Sequence, residues 1–210
     1  MDRHRVLAAY RLGFALLALV AVIAQFAHGA GRDTFSPVNF LSFFTIQSNL
    51  LAVVALTITG VRALRGQPSD TVLLRALATF CMTTTGIVYV TLLRGLEDTL
   101  QTPIPWINTV LHYVMPVVVF LDWVLDRPRP ALPFTRALLV LIYPIAWVVY
   151  SLVRGAIVGW YPYPFLDVDA LGYAEVLLTC LVLAVAMVVL VWVLARITRL
   201  APKDAPVPLS

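Results

Sequence analysis

Lysine is almost missing from this chain; Lys203 is the only one in 210 residues. Charge of either sign is scarce: 15 basic and 11 acidic side chains make up 12% of the residues, about half the share of a soluble domain. Such a chain has too little polar surface to cover a water-exposed fold. The basic residues that exist sit in short stretches between apolar runs, with no stripe of interleaved aromatics, which excludes a nucleic-acid-binding face. Cysteine is limited to Cys81 and Cys180. Both fall within apolar runs and lack metal-ligand spacing, so they read as small buried hydrophobes. Three histidines, two of them at the edges of apolar runs, exclude a metal site. No organic cofactor is implied.

What is abundant is apolar: 61% of residues are hydrophobic and the mean hydropathy is +0.91. This composition predicts a polytopic membrane protein. The fold class expected is all-α, a bundle of six transmembrane helices in a single domain over 1–200, followed by a disordered C-terminal tail over 201–210. The runs predict spans at 7–27, 38–61, 71–93, 106–125, 134–153 and 170–194. The first follows Arg3 and Arg5 but is long enough to cross and lacks a small-x-small cleavage pattern, so it is expected to stay as a helix. Arg11, one turn into it, is expected to snorkel to the membrane surface. Thr83, Thr84 and Thr85 read as back-bonding hydroxyls at a bend. Trp160, Tyr161 and Tyr163 are expected at headgroup level. There is no internal repeat, and no pair of broken helices of the kind transporters use.

Six spans place both termini on one side, and the basic residues choose which. Arg3, Arg5, Arg62, Arg65, Arg75, Arg127, Arg129, Arg136, Arg196, Arg199 and Lys203 fall on one side, against Arg32, Arg94 and Arg154 on the other. The positive-inside rule therefore predicts cytoplasmic termini. Glu97 and Asp98 then lie in an outer loop. The bias towards Ala, Leu, Val and Arg is a hint of a GC-rich bacterial genome, hence of a bacterial cytoplasmic membrane.

Within the second span lies the most polar stretch of any apolar run, Phe43-Phe44-Thr45-Ile46-Gln47-Ser48-Asn49. In a bilayer these side chains must find partners within the protein or line a cavity. On a continuous helix Ser42, Thr45, Ser48 and Asn49 share one face and Gln47 points elsewhere. The competing reading is interhelical packing. Topology adds a second group: Thr45 and His112 both lie roughly 10 Å below the outer ends of their predicted helices. Asn108 is one turn above His112 on the same face. A hydroxyl beside an imidazole is the minimal nucleophile and base pair for attack on an ester. No carboxylate lies at that depth to orient the ring, which leaves Asn108, a helix carbonyl or a water. A proton path through His112, Arg94, Arg154 and Glu175 has too few ionisable groups at mid-membrane.

Several pieces taken in order carry a resemblance. They are Phe40-Leu41-Ser42-Phe43 leading into Thr45, Trp106-Ile107-Asn108 followed by His112 and Pro116, and Tyr163-Pro164-Phe165-Leu166 before the last span. Over most of its length the chain resembles the androgen-induced-gene family of six-helix membrane proteins, including its shorter bacterial relatives. The animal members are threonine hydrolases of fatty acid esters of hydroxy fatty acids. The resemblance implies a lipid-ester hydrolase with Thr45 as nucleophile and His112 as base, and with Ser42, Ser48, Asn49 and Asn108 binding or orienting. An ungapped match through Phe40-Leu41-Ser42-Phe43 puts Ser42 at the nucleophile position, whereas the polar cluster centres on Thr45. The expected partners are membrane lipids and a lipid-ester substrate. The alternative is a lipid-binding or partner-binding membrane protein without turnover, in which the same residues form a structural network.

Overall fold

The computed structural model describes residues 3–67, 71–96 and 103–200. Glu97, Asp98, Lys203 and the tail over 201–210 lie outside the described residues. Among those described, every regular element is helical. We label them α1 (Arg3–Ala30), α2 (Pro37–Ser42), α3 (Phe44–Leu64), α4 (Val72–Leu93), α5 (Pro105–Leu125), α6 (Phe134–Val158) and α7 (Tyr173–Arg199). All except α2 are long and apolar enough to cross a membrane. The shortest have 21 residues, which at a rise of about 1.5 Å each matches a hydrocarbon core of about 30 Å. Each of the six expected spans has a long apolar helix as its counterpart, but the bounds differ, the second beginning at Phe44 and not at 38 and the last at Tyr173 and not at 170.

α1 packs along α3 and also meets α5, and α4 packs on both α3 and α5, so these four close a ring. The buried stripe of α1, Ala8, Arg11, Ala15, Ala18, Val22 and Gln25, recurs at three and four residues, as one helical face requires. Its small side chains let α1 approach α3 closely. A Cβ on Gly60 of α3 would lie 2.9 Å from Leu12 Cγ. α6 and α7 pack on each other and against α4. Only 11% of the α7 span is buried, and Leu177, Leu178, Leu181 and Val182 are exposed, as a lipid-facing helix requires. Gly159, in the left-handed conformation with φ 66°, ends α6 at its C-cap and starts the segment that folds back over the bundle before α7.

One end of the ring is locked by charge. Arg11 Nε donates to Asp122 Oδ1 at 2.6 Å and its Nη2 to Asp126 Oδ2 at 2.6 Å. Arg75 Nη2 reaches Asp122 Oδ2 at 2.9 Å and the Asp126 carbonyl at 2.7 Å. Arg11 is therefore not a snorkelling side chain. At 2% exposure it is held inside by carboxylates from the last turn and end of α5. Arg3 pairs with Asp126 and Arg127 donates to the Leu200 carbonyl. Both ends of the described chain thus lie beside the foot of α5.

The second span is not continuous. Phe43, with φ −65° and ψ 126°, breaks it into α2 and α3, so Ser42 does not share a helix face with Thr45. The groups released at the break find side-chain partners. The Trp147 indole donates to the Ser42 carbonyl at 2.9 Å, and the Gln47 amide donates to the Leu41 carbonyl at 2.7 Å. In the sequence no proline or glycine interrupts the run at this point, so no breaker residue marks it.

Candidate functional site

Because of the break, Thr45 is the second residue of a new helix, a position whose N–H has no helical carbonyl to bond. The Thr45 N–H donates instead to the Tyr163 hydroxyl at 3.2 Å. Thr45 Oγ1 lies 3.3 Å from His112 Nε2 and 3.3 Å from the Tyr163 hydroxyl. All three residues are buried. The threonine and histidine expected at matching depth are in contact.

The hydrogen-bond directions follow from what each atom can supply. His112 Nδ1 faces the Asn108 carbonyl at 3.3 Å, which only accepts, so Nδ1 carries the proton. In the neutral ring Nε2 is then an acceptor, and Thr45 Oγ1 donates to it. The one proton of Thr45 being used, the Tyr163 hydroxyl donates to Oγ1 while accepting the Thr45 N–H. This tautomer directs the free Nε2 lone pair at the Thr45 hydroxyl, the arrangement a general base would need.

Asn108 orients the ring through its backbone carbonyl. Its side-chain amide is engaged elsewhere, donating to the Tyr89 hydroxyl at 2.6 Å. Tyr89 then stacks on His112 with centroids 4.1 Å apart and planes at 22°. Both rings stand on widened π-helical turns, Tyr89–Leu93 and Val110–Val114, a distortion frequent at functional sites. Pro116 accounts for the second: it has no N–H for the His112 carbonyl four residues earlier. Gly86 lets α4 close on this point, since a Cβ there would lie 2.8 Å from Pro116 Cβ.

The other expected residues divide. Asn49 donates to the Thr45 carbonyl at 2.9 Å and to the Leu111 carbonyl at 3.3 Å, joining α3 to the helix that carries His112. Ser48 is fully buried and its hydroxyl has no hydrogen-bond partner. Ser42 is spent on structure: its hydroxyl donates to the Val38 carbonyl at 2.7 Å and accepts from Tyr150 at 2.8 Å. Gln47 accepts from the Tyr143 hydroxyl at 2.6 Å, away from the site.

Tyr163 and Tyr89 are the site residues that sequence reasoning passed over. Tyr163 belongs to the aromatic stretch expected at headgroup level, yet it is 5% exposed and folded into the bundle. Its ring packs on Phe43, Trp147 and Phe165. Burial raises the Tyr163 phenol above its ordinary value, against the opposing pull of hydrogen bonds from Thr45 and from the Phe44 amide, so the group stays protonated at neutral pH. The Tyr163-Pro164-Phe165-Leu166 piece of the resemblance was the available signal.

Thr45 and Tyr163 stand at the wall of a cavity of about 330 Å³ bounded by α3, α4, α6, α7 and the segment after α6. The rest of its lining is almost wholly apolar, including Phe44, Val88, Ile145, Phe165 and Met187. Along α7 it runs from Cys180 to Val188, about 12 Å of helix. Thr84 and Thr85 belong to its α4 wall. Their hydroxyls are buried without partners, unlike Thr59, Thr79, Thr91 and Thr109, which bond the carbonyl four residues back. Among the described residues no cluster of His, Cys, Asp and Glu is arranged to hold a metal. Compared with family models, with curated proteins and with solved structures, the chain finds no match.

Proposed function

We propose that this protein is an intramembrane hydrolase of lipid esters, with Thr45 as nucleophile and His112 as general base. The observation that carries the reading is the 3.3 Å contact from Thr45 Oγ1 to His112 Nε2 at the wall of an apolar cavity. In the reaction Oγ1 attacks the ester carbonyl as its proton passes to Nε2, and the carbonyl electron pair moves onto oxygen. Collapse expels the alkoxide, which takes the proton back from His112. Water, deprotonated by the same imidazole, then cleaves the acyl-threonine. The cavity receives the acyl chain, and burial of the pair strengthens the polar interactions between them.

The resemblance carried by the Thr45, His112 and Tyr163-Pro164-Phe165-Leu166 stretches favours fatty acid esters of hydroxy fatty acids or similar acyl esters as substrate. The distribution of arginine favours cytoplasmic termini in a bacterial cytoplasmic membrane. The site then lies in the outer leaflet, with the lipid entering sideways between lipid-facing helices.

The test is hydrolysis of a medium-chain ester, and of a branched fatty acid ester of a hydroxy fatty acid, by purified protein in detergent. Thr45→Ala and His112→Ala are expected to lose turnover while remaining monodisperse. Ser42→Ala is expected to keep it. A wild type inert towards both esters would instead support the lipid-binding protein without turnover.

A further inference from the structure

Resting on the hydrolase reading, the geometry points to Tyr163 as the oxyanion donor: its hydroxyl hydrogen bonds the ester carbonyl oxygen as that oxygen becomes negative. Threonine attack needs such a donor. His112 cannot serve, because Nδ1 is committed to the Asn108 carbonyl and Nε2 receives the nucleophile's proton. Asn108 and Asn49 donate to Tyr89 and to backbone carbonyls. The Ser48, Thr84 and Thr85 hydroxyls bond nothing in the resting site, whereas the Tyr163 hydroxyl lies 3.3 Å from the attacking Oγ1 at the same cavity wall.

The break at Phe43 makes this phenol a better donor than its type alone implies. The Thr45 N–H that the break releases donates to the phenol oxygen at 3.2 Å, and α3 points the positive end of its 21-residue dipole at the same atom. A hydroxyl that accepts such bonds donates more strongly through its own hydrogen. In the resting site that hydrogen lies on Thr45 Oγ1. Once the Oγ1 lone pair is committed to the carbonyl carbon, rotation about the phenol C–O bond re-aims it at the new oxyanion. No proton is transferred. The ring itself is fixed by Phe43, Trp147 and Phe165, so the donor is in place before substrate arrives.

The experiment compares wild type, Tyr163→Phe and full-length protein carrying ring-fluorinated tyrosines at 163 on one medium-chain ester. Tyr163→Phe is expected to lower kcat about 100-fold with KM changed less than about twofold, the pattern of an interaction made only in the transition state. Across the fluorinated series kcat is expected to follow phenol acidity, which a packing role would not produce. Active wild type with an equally active Tyr163→Phe overturns this assignment and leaves the Thr45–His112 reading standing. Inactive wild type overturns both. If Tyr163→Phe fails to fold, a fluorinated series with unchanged kcat overturns the assignment by itself.

Discussion

Thr45 is held by two of its own atoms. Its hydroxyl meets His112 and its N–H meets Tyr163, and the second contact exists only because the helix starts afresh one residue earlier. The hydroxyls of Thr84 and Thr85 stand in contrast, buried and without partners. A buried hydroxyl that bonds nothing carries a desolvation penalty, so Thr84→Val and Thr85→Val, equal in shape, are each expected to stabilise the protein by about 1 kcal/mol. Thermal unfolding in detergent reads this as a raised midpoint, and a lowered midpoint would contradict it. Ser42, by comparison, fastens α2 to α6 through Tyr150. Loss of its hydroxyl is expected to cost stability of about 1 kcal/mol with activity retained.

At the scale of elements, the site depends on how closely α4 meets α5. Pro116 distorts the turn that bears His112, and Gly86 on α4 receives the proline ring. A methyl at Gly86 would stand 2.8 Å from Pro116 Cβ, with neither backbone free to move. Gly86→Ala is therefore expected to cost about 1–3 kcal/mol through overpacking. If the pair is catalytic as proposed, the same substitution is expected to lower turnover by shifting His112 away from Thr45, since small misplacements of reacting groups are costly. A paired measurement of unfolding midpoint and kcat checks both effects; an Ala variant with unchanged kcat would show that the α4–α5 spacing does not set the pair.

Across the whole molecule, the end bearing the ion cluster is held together differently from the end bearing the site. Arg11, Arg75, Asp122 and Asp126 join α1, α4 and α5 around balanced charge. Asp122→Ala leaves two buried guanidinium groups without their shared carboxylate and is expected to cost about 3–5 kcal/mol, measured as loss of monodisperse protein or of its unfolding midpoint. Acid acts on the same cluster. Burial pushes the Asp126 carboxyl up, but the Arg11 hydrogen bond and the charges of Arg75, Arg11 and Arg3 outweigh it and leave the group below its ordinary value. A carboxyl lowered on folding contributes stability that is complete above its unfolded value of about 3.9 and is lost as pH falls through the folded one. The unfolding midpoint is expected to drop on acidification below about pH 4. Asp126→Asn is expected to remove part of that drop.

What the sequence determined by itself was everything that depends on composition and on distance along a helix. Six apolar runs specify six helices long and apolar enough to cross a membrane, because a run of about 20 apolar residues satisfies its own backbone polar groups as a helix. A fixed rise per residue put Thr45 and His112 at matching distances along two expected spans; the structure brings the two into contact although the helix that carries Thr45 begins only at Phe44. Contacts between distant residues were decided only by tertiary structure. Arg11 reads as a snorkelling side chain until Asp122, 111 positions away, is folded against it. Ser42 shares a face with Thr45 until the helix breaks at Phe43, a break sustained by Trp147 and Gln47 and not by any local breaker residue. Tyr163 reads as an interfacial aromatic until the chain after α6 turns it inward onto the amide that the break set free. In each case the deciding partner comes from another part of the chain, and helical periodicity carries no record of which distant group will satisfy a buried polar atom.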